Sequence, residues 1–246
     1  MYISYFNFLK LFFPNQFHFI YTFHLKCVPF YSLFLCCQRV SEIPSTSKHY
    51  EPQKFNYFYV MDFEATCLSN TTIEPQEIIE IPVLAVNGKT FEVEETFHNY
   101  VKPIANPQLS RFCTELTGIT QDVVDGSRSF IPVFNELKQF CESRSNFTFV
   151  TCGDWDLKIM LPNQCRFSGV EIPEYMKTWI NIKKSYNRAM GSYPRRLDDL
   201  LLGCGLKFEG RAHSGIDDAT NIAKALRSLA IEHHYVFNNT FFQRPT

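Results

Sequence analysis

The sequence predicts a single α/β domain built on a mixed β-sheet with flanking helices, and three observations predict it. Strand-like runs rich in aromatic and β-branched residues come first, at 55–63, 77–86 and 91–101. The second and third are joined by Asn87-Gly88, a hairpin turn signal. Beyond them, apolar residues at helical spacing surround one further strand at 147–152, the pattern of strand–helix units. With 246 residues, 45% of them hydrophobic, the chain can bury one good core. The domain is expected over 55–240, with 241–246 as a short tail.

Each element has its own reason. Tyr57-Phe58-Tyr59-Val60-Met61 is an apolar, aromatic run that leads into Asp62-Phe63-Glu64 and reads as a strand. Three antiparallel strands followed by strand–helix units permit a sheet in which this first strand is central. Helices are expected near 114–116, 131–142, 156–161, 182–190, 196–204 and 215–233. The last is the clearest, because Ala219, Ile222, Ala223, Leu226 and Leu229 repeat at 3.6 residues.

The first 54 residues are different in kind. Phe6, Phe8, Phe12, Phe13, Phe17, Phe19, Phe23, Phe30 and Phe34 crowd a stretch with no acid before Glu42. Lys10, Pro14, His18, His24 and Lys26 interrupt it, so it lacks the ~18 uninterrupted apolar residues of a membrane span. Met1-Tyr2-Ile3-Ser4-Tyr5 lacks the basic start of a secretory signal, and no small-residue cleavage site follows. A membrane-associating or targeting segment, a packed extension and a poorly ordered leader all remain open, and the third is the expectation. Residues 38–54, with Pro44, Pro52 and several Ser and Thr, read as linker. No integral membrane association is expected.

Charge and cysteine content narrow the functional classes. A net charge of −1 excludes a generally basic nucleic-acid binder, so any grip on phosphate must be local. The nine cysteines are scattered without C-x-x-C or C-x-x-H spacing, which supports neither a disulfide scaffold nor a zinc site. The expected compartment is the reducing cytosol, the nucleus, or both.

Chemistry concentrates in three short segments: Asp62-Phe63-Glu64, Asp154-Trp155-Asp156, and His213-Ser214-Gly215-Ile216-Asp217-Asp218. On one strand, Asp62 and Glu64 at i, i+2 share a face and make a site for a hard cation such as Mg²⁺ or Mn²⁺, which takes oxygen ligands. Asp156 and Asp218 each open a predicted helix, where an acid is also an ordinary capping residue. Capping does not explain an Asp-x-Glu within an apolar strand, a Trp beside the third acid, and His-x-x-x-x-Asp before the last helix. The joint pattern is the one that two-metal nucleases use.

These residues resemble the DEDD-type 3′-to-5′ exonucleases of the ribonuclease H-like superfamily, in the subclass with His-x-x-x-x-Asp. Asp62-Phe63-Glu64-Ala65-Thr66-Cys67, Glu77-Ile78-Ile79-Glu80-Ile81-Pro82, Leu116-Thr117-Gly118-Ile119, Trp179-Ile180-Asn181-Ile182-Lys183 and His213 to Ala223 are similar to the enhancer-of-RNAi exoribonucleases. Thr151-Cys152-Gly153-Asp154-Trp155-Asp156-Leu157-Lys158 and Ala189-Met190-Gly191 resemble the branch of that family described as prion-protein-interacting. One departure is Arg211-Ala212-His213, where the family's usual proline is replaced by Ala212.

The resemblance implies a ribonuclease H-like fold and a metal-dependent exoribonuclease that removes 5′-mononucleotides from RNA with a free 3′ end. It implies two Mg²⁺ per site, with Mn²⁺ able to substitute. Asp62, Glu64 and Asp218 would hold the first ion, Asp62 would bridge to the second, Asp156 would support that second ion, and His213 would be the general base. Glu64, Ala65, Phe112, Leu116, Trp155 and His213 would meet the terminal nucleotide, although Phe112 and Leu116 also suit plain core. Lys183, Lys184, Arg188, Arg195 and Arg196 are the basic cluster, suited to phosphate or to a solvated helix face. Two other functions stay open: an interaction module on the same fold, and a 3′-to-5′ deoxyribonuclease. Protein partners are not indicated.

Overall fold

The computed structural model describes residues 50–242, the side chain of Phe242 excepted. The aromatic leader, and the expectation about its order, lie outside these residues. The strands are β1 (Tyr57–Met61), β2 (Glu64–Ala65), β3 (Ile78–Asn87), β4 (Val93–Tyr100), β5 (Phe147–Thr151), β6 (Thr178–Asn181) and β7 (Phe241–Phe242). The α-helices are α1 (Arg111–Thr117), α2 (Gln121–Asp125), α3 (Phe130–Glu142), α4 (Leu161–Ser168), α5 (Ile182–Met190), α6 (Leu197–Gly203) and α7 (Gly215–Ile231). A π-helical turn, Asp156–Met160, runs directly into α4.

All seven strands form one mixed sheet ordered β2-β3-β1-β5-β6-β7, with β4 on the other side of β3. β1 pairs antiparallel with β3 and parallel with β5, so the first strand is central as expected. Its alternation sorts the two layers. Phe58 and Val60 face α7, against Ile222, Leu226 and Leu229, while Tyr59 and Met61 face α3 and α4, against Phe134, Leu137 and Leu161. Because both faces are covered, β1 and β3 read as continuous apolar runs.

Several elements depart from the sequence reading. α2, β6 and β7 were not expected, because each is short and two of them owe their pairing to distant chain. The strand and helix expected to meet around Asp154 are instead joined by the π turn. Pro162 has no N–H to donate, so the helical ladder is interrupted just where the wide turn gives way to α4. The hairpin after Asn87 is also longer than a two-residue turn. The Asn87 side chain accepts from the Lys89 and Thr90 N–H groups, and Phe91 takes the left-handed conformation at φ 58°. Gly88 serves a close approach, since a Cβ there would lie 2.1 Å from the Phe55 carbonyl oxygen.

Packing continues past the expected domain limits at 55 and 240. Tyr50 packs edge-on against Phe91, with ring centroids 5.6 Å apart, and the Gln53 side chain donates to the Tyr235 carbonyl and accepts from Phe237 N–H. At the other end, β7 extends the sheet beyond β6, and the Phe241 ring stacks on Trp179 at 4.1 Å.

Candidate active site

Asp62 and Glu64 do not share one unbroken strand, which corrects the sequence reading. β1 stops at Met61 and β2 starts at Glu64, with an irregular register against β3. The interruption has a visible cause: Phe63 N–H donates to Asp156 Oδ1 at 2.9 Å instead of to a neighbouring strand. The alternation survives the break. Phe63 joins Tyr59 and Met61 in the core, and Asp62 and Glu64 line a cleft with Phe63, Ala65, Cys67, Gln76, Leu116, Cys152, Trp155, Asp156 and His213.

The fourth acid arrives on α7. His213 sits at φ 62°, and its N–H donates to Asp218 Oδ2 at 3.0 Å, so the loop before α7 folds the histidine back over that acid. One ligand atom from each of Glu64, His213 and Asp218 lies within 4.8 Å of the others. Asp217, next in sequence, instead accepts the Arg211 N–H at 2.9 Å and holds the loop.

A residue that sequence reasoning did not assign fixes this helix to the sheet. Glu80 of β3, buried, accepts the Gly215 N–H at 3.0 Å and the Ile216 N–H at 3.2 Å, and lies 2.8 Å from His98 Nε2. A Cβ on Gly215 would lie 2.7 Å from the Asp62 carbonyl oxygen and 3.0 Å from Glu80 Oε2. Only a glycine lets α7 begin so close to the end of β1. The signal was present in the second glutamate of Glu77-Ile78-Ile79-Glu80, an acid inside an apolar run.

Burial dominates the electrostatics of the cleft. It raises the Asp62 carboxyl well above the usual range, and Asp156, Asp218, Glu64 and Glu80 push in the same direction. Glu64 is raised to about 9 by burial, then by Glu80, Asp218 and Asp156, against the pull of Arg211. Asp156 and Asp218 are raised to about 6, again chiefly by burial, while the N–H groups of Phe63 and His213 moderate them. Four acids crowded this way cannot all ionise near neutrality unless a cation joins them. An all-oxygen carboxylate set suits a hard divalent ion, so the residues present fit the metal that the motif implies.

The remaining candidates divide. Ala65, Leu116 and Trp155 line the cleft. Phe112 does not, but it lies one helical turn before Leu116 on α1 and is 37% exposed, as is Trp155. Gln76, Cys67 and Cys152 line the cleft without having been singled out as site residues. Asp154 is occupied elsewhere: it accepts from Trp179 Nε1 and Asn181 Nδ2 and pairs with Lys184 Nζ at 2.6 Å. That contact takes Lys184 out of the basic cluster.

Comparison with known proteins agrees with this fold. The exonuclease family model matches residues 59–226. Human "ERI1 exoribonuclease 3" is 48% identical over 198 residues, covering 78% of this chain and 58% of that one, so the chain spans somewhat over half of this relative's length. The nuclease domain of 3′hExo, a DEDDh family member solved bound to rAMP, superposes with a TM-score of 0.74 at 35% identity, over 78% of this chain and all of that one. A 3′-exonuclease solved for 3′-end specific recognition of a histone mRNA stem-loop gives a TM-score of 0.71 at 36% identity, over 75% of this chain and 66% of that one. The break at Phe63, the acids it brings together and the histidine folded over Asp218 thus sit on a fold shared with these enzymes, and the chain belongs to the exonuclease family, among the DEDDh members that include the enhancer-of-RNAi exoribonucleases.

Proposed function

We propose that this chain is a metal-dependent 3′-to-5′ exoribonuclease that removes 5′-mononucleotides from RNA with a free 3′ end, in 3′-end trimming or small-RNA turnover. The observation that carries it is the meeting of Asp62, Glu64, Asp156, Asp218 and His213 at one cleft, drawn from three separate parts of the chain. DEDDh membership implies a divalent metal, and the carboxylate set favours two Mg²⁺ ions, with Mn²⁺ able to replace them. Asp62, Glu64 and Asp218 would hold one, and Asp62 with Asp156 the other. Bound there, the ions supply Lewis-acid activation of water and stabilise charge on the leaving 3′ oxygen.

The side chains do the rest. The His213 ring, exposed at the mouth of the cleft, takes the proton of the attacking water at an imidazole nitrogen. Trp155, Leu116 and Phe112 offer apolar surface to the terminal base, which any base can use. RNA as substrate is supported by the RNA-directed relatives. The cytosol or nucleus is the proposed compartment, in keeping with six free thiols among the described cysteines. No helix among the described residues is long and apolar enough to cross a membrane.

The test is degradation of a 5′-labelled RNA beside a DNA of equal sequence, with Mg²⁺ and with chelator. Stepwise shortening of RNA that stops on chelation is expected. Shortening of DNA alone would make the enzyme a deoxyribonuclease, and loss of neither would leave an interaction module.

A further inference from the structure

The last turn of α5 and the loop from it to α6, residues 191–196, present an aromatic ring and two cations that the fold does not use. Tyr193 is 56% exposed, more than Phe112, Trp155 or Phe167, the other exposed large aromatic side chains among the described residues. Its side chain makes no ring contact and no hydrogen bond among those residues, although the next residue, Pro194, is buried and anchors the loop. Arg188 and Arg195 are exposed, and their guanidinium groups have no acidic partner among the described residues.

This loop is held at the edge of the sheet where the acids gather. β6 runs parallel to β5 and pairs Asn181 with Thr151, just before Asp154 to Asp156. Asn181 caps α5 and donates its side-chain N–H to Asp154. From the first turn of α5, Lys183 Nζ donates to the Arg195 carbonyl oxygen at 2.8 Å and pulls the loop back over that edge. Lys183 also acts on Cys152, which lines the cleft, and Asp198 in the first turn of α6 is close enough to Asp218 to raise it. Through Lys183 and Asn181 the loop is therefore tied to the segment that carries Asp154 to Asp156.

We infer that Tyr193, Arg188 and Arg195 form a subsite for single-stranded RNA upstream of the 3′-terminal nucleotide, with Tyr193 stacking on a base and the two arginines meeting phosphates. The combination of a bare aromatic face and unneutralised cations is what binds single strands without regard to sequence. In a chain of net charge −1, such a local device is where phosphate affinity can reside. The inference rests on the exoribonuclease reading for its substrate.

The test uses the full chain, a twelve-nucleotide single-stranded RNA and a dinucleotide with the same 3′ end. Binding of the labelled longer RNA is read by fluorescence anisotropy with Ca²⁺ in place of Mg²⁺, and turnover of both substrates with Mg²⁺. Tyr193→Ala should weaken binding of the longer RNA about tenfold and raise its KM alike, leave dinucleotide turnover unchanged, and be rescued by Tyr193→Phe. Arg188→Gln with Arg195→Gln should reduce the slope of log affinity against log salt by roughly 1.4, the figure for two single-strand phosphate contacts. Equal losses on both substrates, or wild-type binding by Tyr193→Ala, would overturn the subsite. If the longer RNA binds through Tyr193 but neither substrate is cleaved, the subsite stands and the exoribonuclease reading fails.

Discussion

Asp156 Oδ1 accepts the Phe63 N–H at 2.9 Å, so one acid of the cleft holds open the strand that carries two others. Two neighbouring acids thereby acquire different duties. Asp156→Ala should abolish turnover, because it removes a cleft carboxylate and releases the Asp62–Glu64 segment together. Asp154→Ala should retain a measurable fraction of activity while losing about 1–3 kcal/mol of stability, since the buried Trp179 and Asn181 donors lose their partner. Melting temperatures beside nuclease rates would separate the two effects. The reverse ranking in equally folded variants would reassign the ligand.

His213→Ala should lower turnover by roughly 10²- to 10⁴-fold, the range for a lost general base. Mn²⁺ binding should survive, because the carboxylates remain. Asp62→Ala should remove both. Calorimetric titration of the two variants would show the difference, and near-normal turnover by His213→Ala at neutral pH would end its assignment as base.

Stability without metal should fall as pH rises. Asp156 and Asp218 are raised to about 6 and Glu64 to about 9, each above its unfolded value near 4. Carboxyls raised by folding stabilise fully below the unfolded value, and that contribution is lost as pH passes through the folded one. The chelated protein should therefore melt at lower temperature from about pH 4 upward, with Mg²⁺ restoring more of the loss at pH 8 than at pH 5. A chelated melting temperature that rises across this window would contradict the electrostatics of the cleft.

Glu80 acts through α7 and not on substrate. Glu80→Ala should reduce turnover by about 10- to 100-fold, as removal of a supporting partner at a metal site does, and weaken Mn²⁺ binding with little change in KM. Gly215→Ala, which puts a Cβ against Asp62 and Glu80, should act in the same direction. If both variants lost only thermal stability, with metal affinity intact, Glu80 would be a structural anchor alone.

A chain beginning at Tyr50 should keep full turnover, because every cleft residue follows Phe55. One beginning at Phe55 should be less stable, since it lacks the Tyr50–Phe91 ring contact and the Gln53 bonds to Tyr235 and Phe237. Loss of activity in the longer of the two would make the leader part of the catalytic domain.

Much of the cleft was legible because its residues lie in local patterns. Asp62 and Glu64 follow an apolar run, and His213 and Asp218 stand at the start of a clear amphipathic helix, so composition and spacing expose them. Glu80 was legible only as an acid inside an apolar run, and Gln76 not at all, since what each does depends on contacts with distant parts of the chain. β7 was missed for a similar reason: two phenylalanines make no strand until Thr178 and Trp179 pair with them. The basic cluster was legible as composition only. That Lys184 is spent on Asp154 while Arg188 and Arg195 have no acidic partner among the described residues is a property of the folded chain.

The π turn at Asp156–Met160 gives the site a rotational phase. In a helix each residue advances the chain by about 100°, and the wide turn accommodates one residue more than an α turn would. Deleting the exposed Lys158 would let an ordinary α-helix form across the turn. Leu157, Met160 and Leu161 would then compete to keep their places in the core, and Asp156 could stay aimed at Phe63 only by pulling them out of it. A single-residue deletion at a solvent-facing position should thus abolish the proposed turnover while leaving every cleft side chain present, like a key cut correctly on a blade turned in its lock.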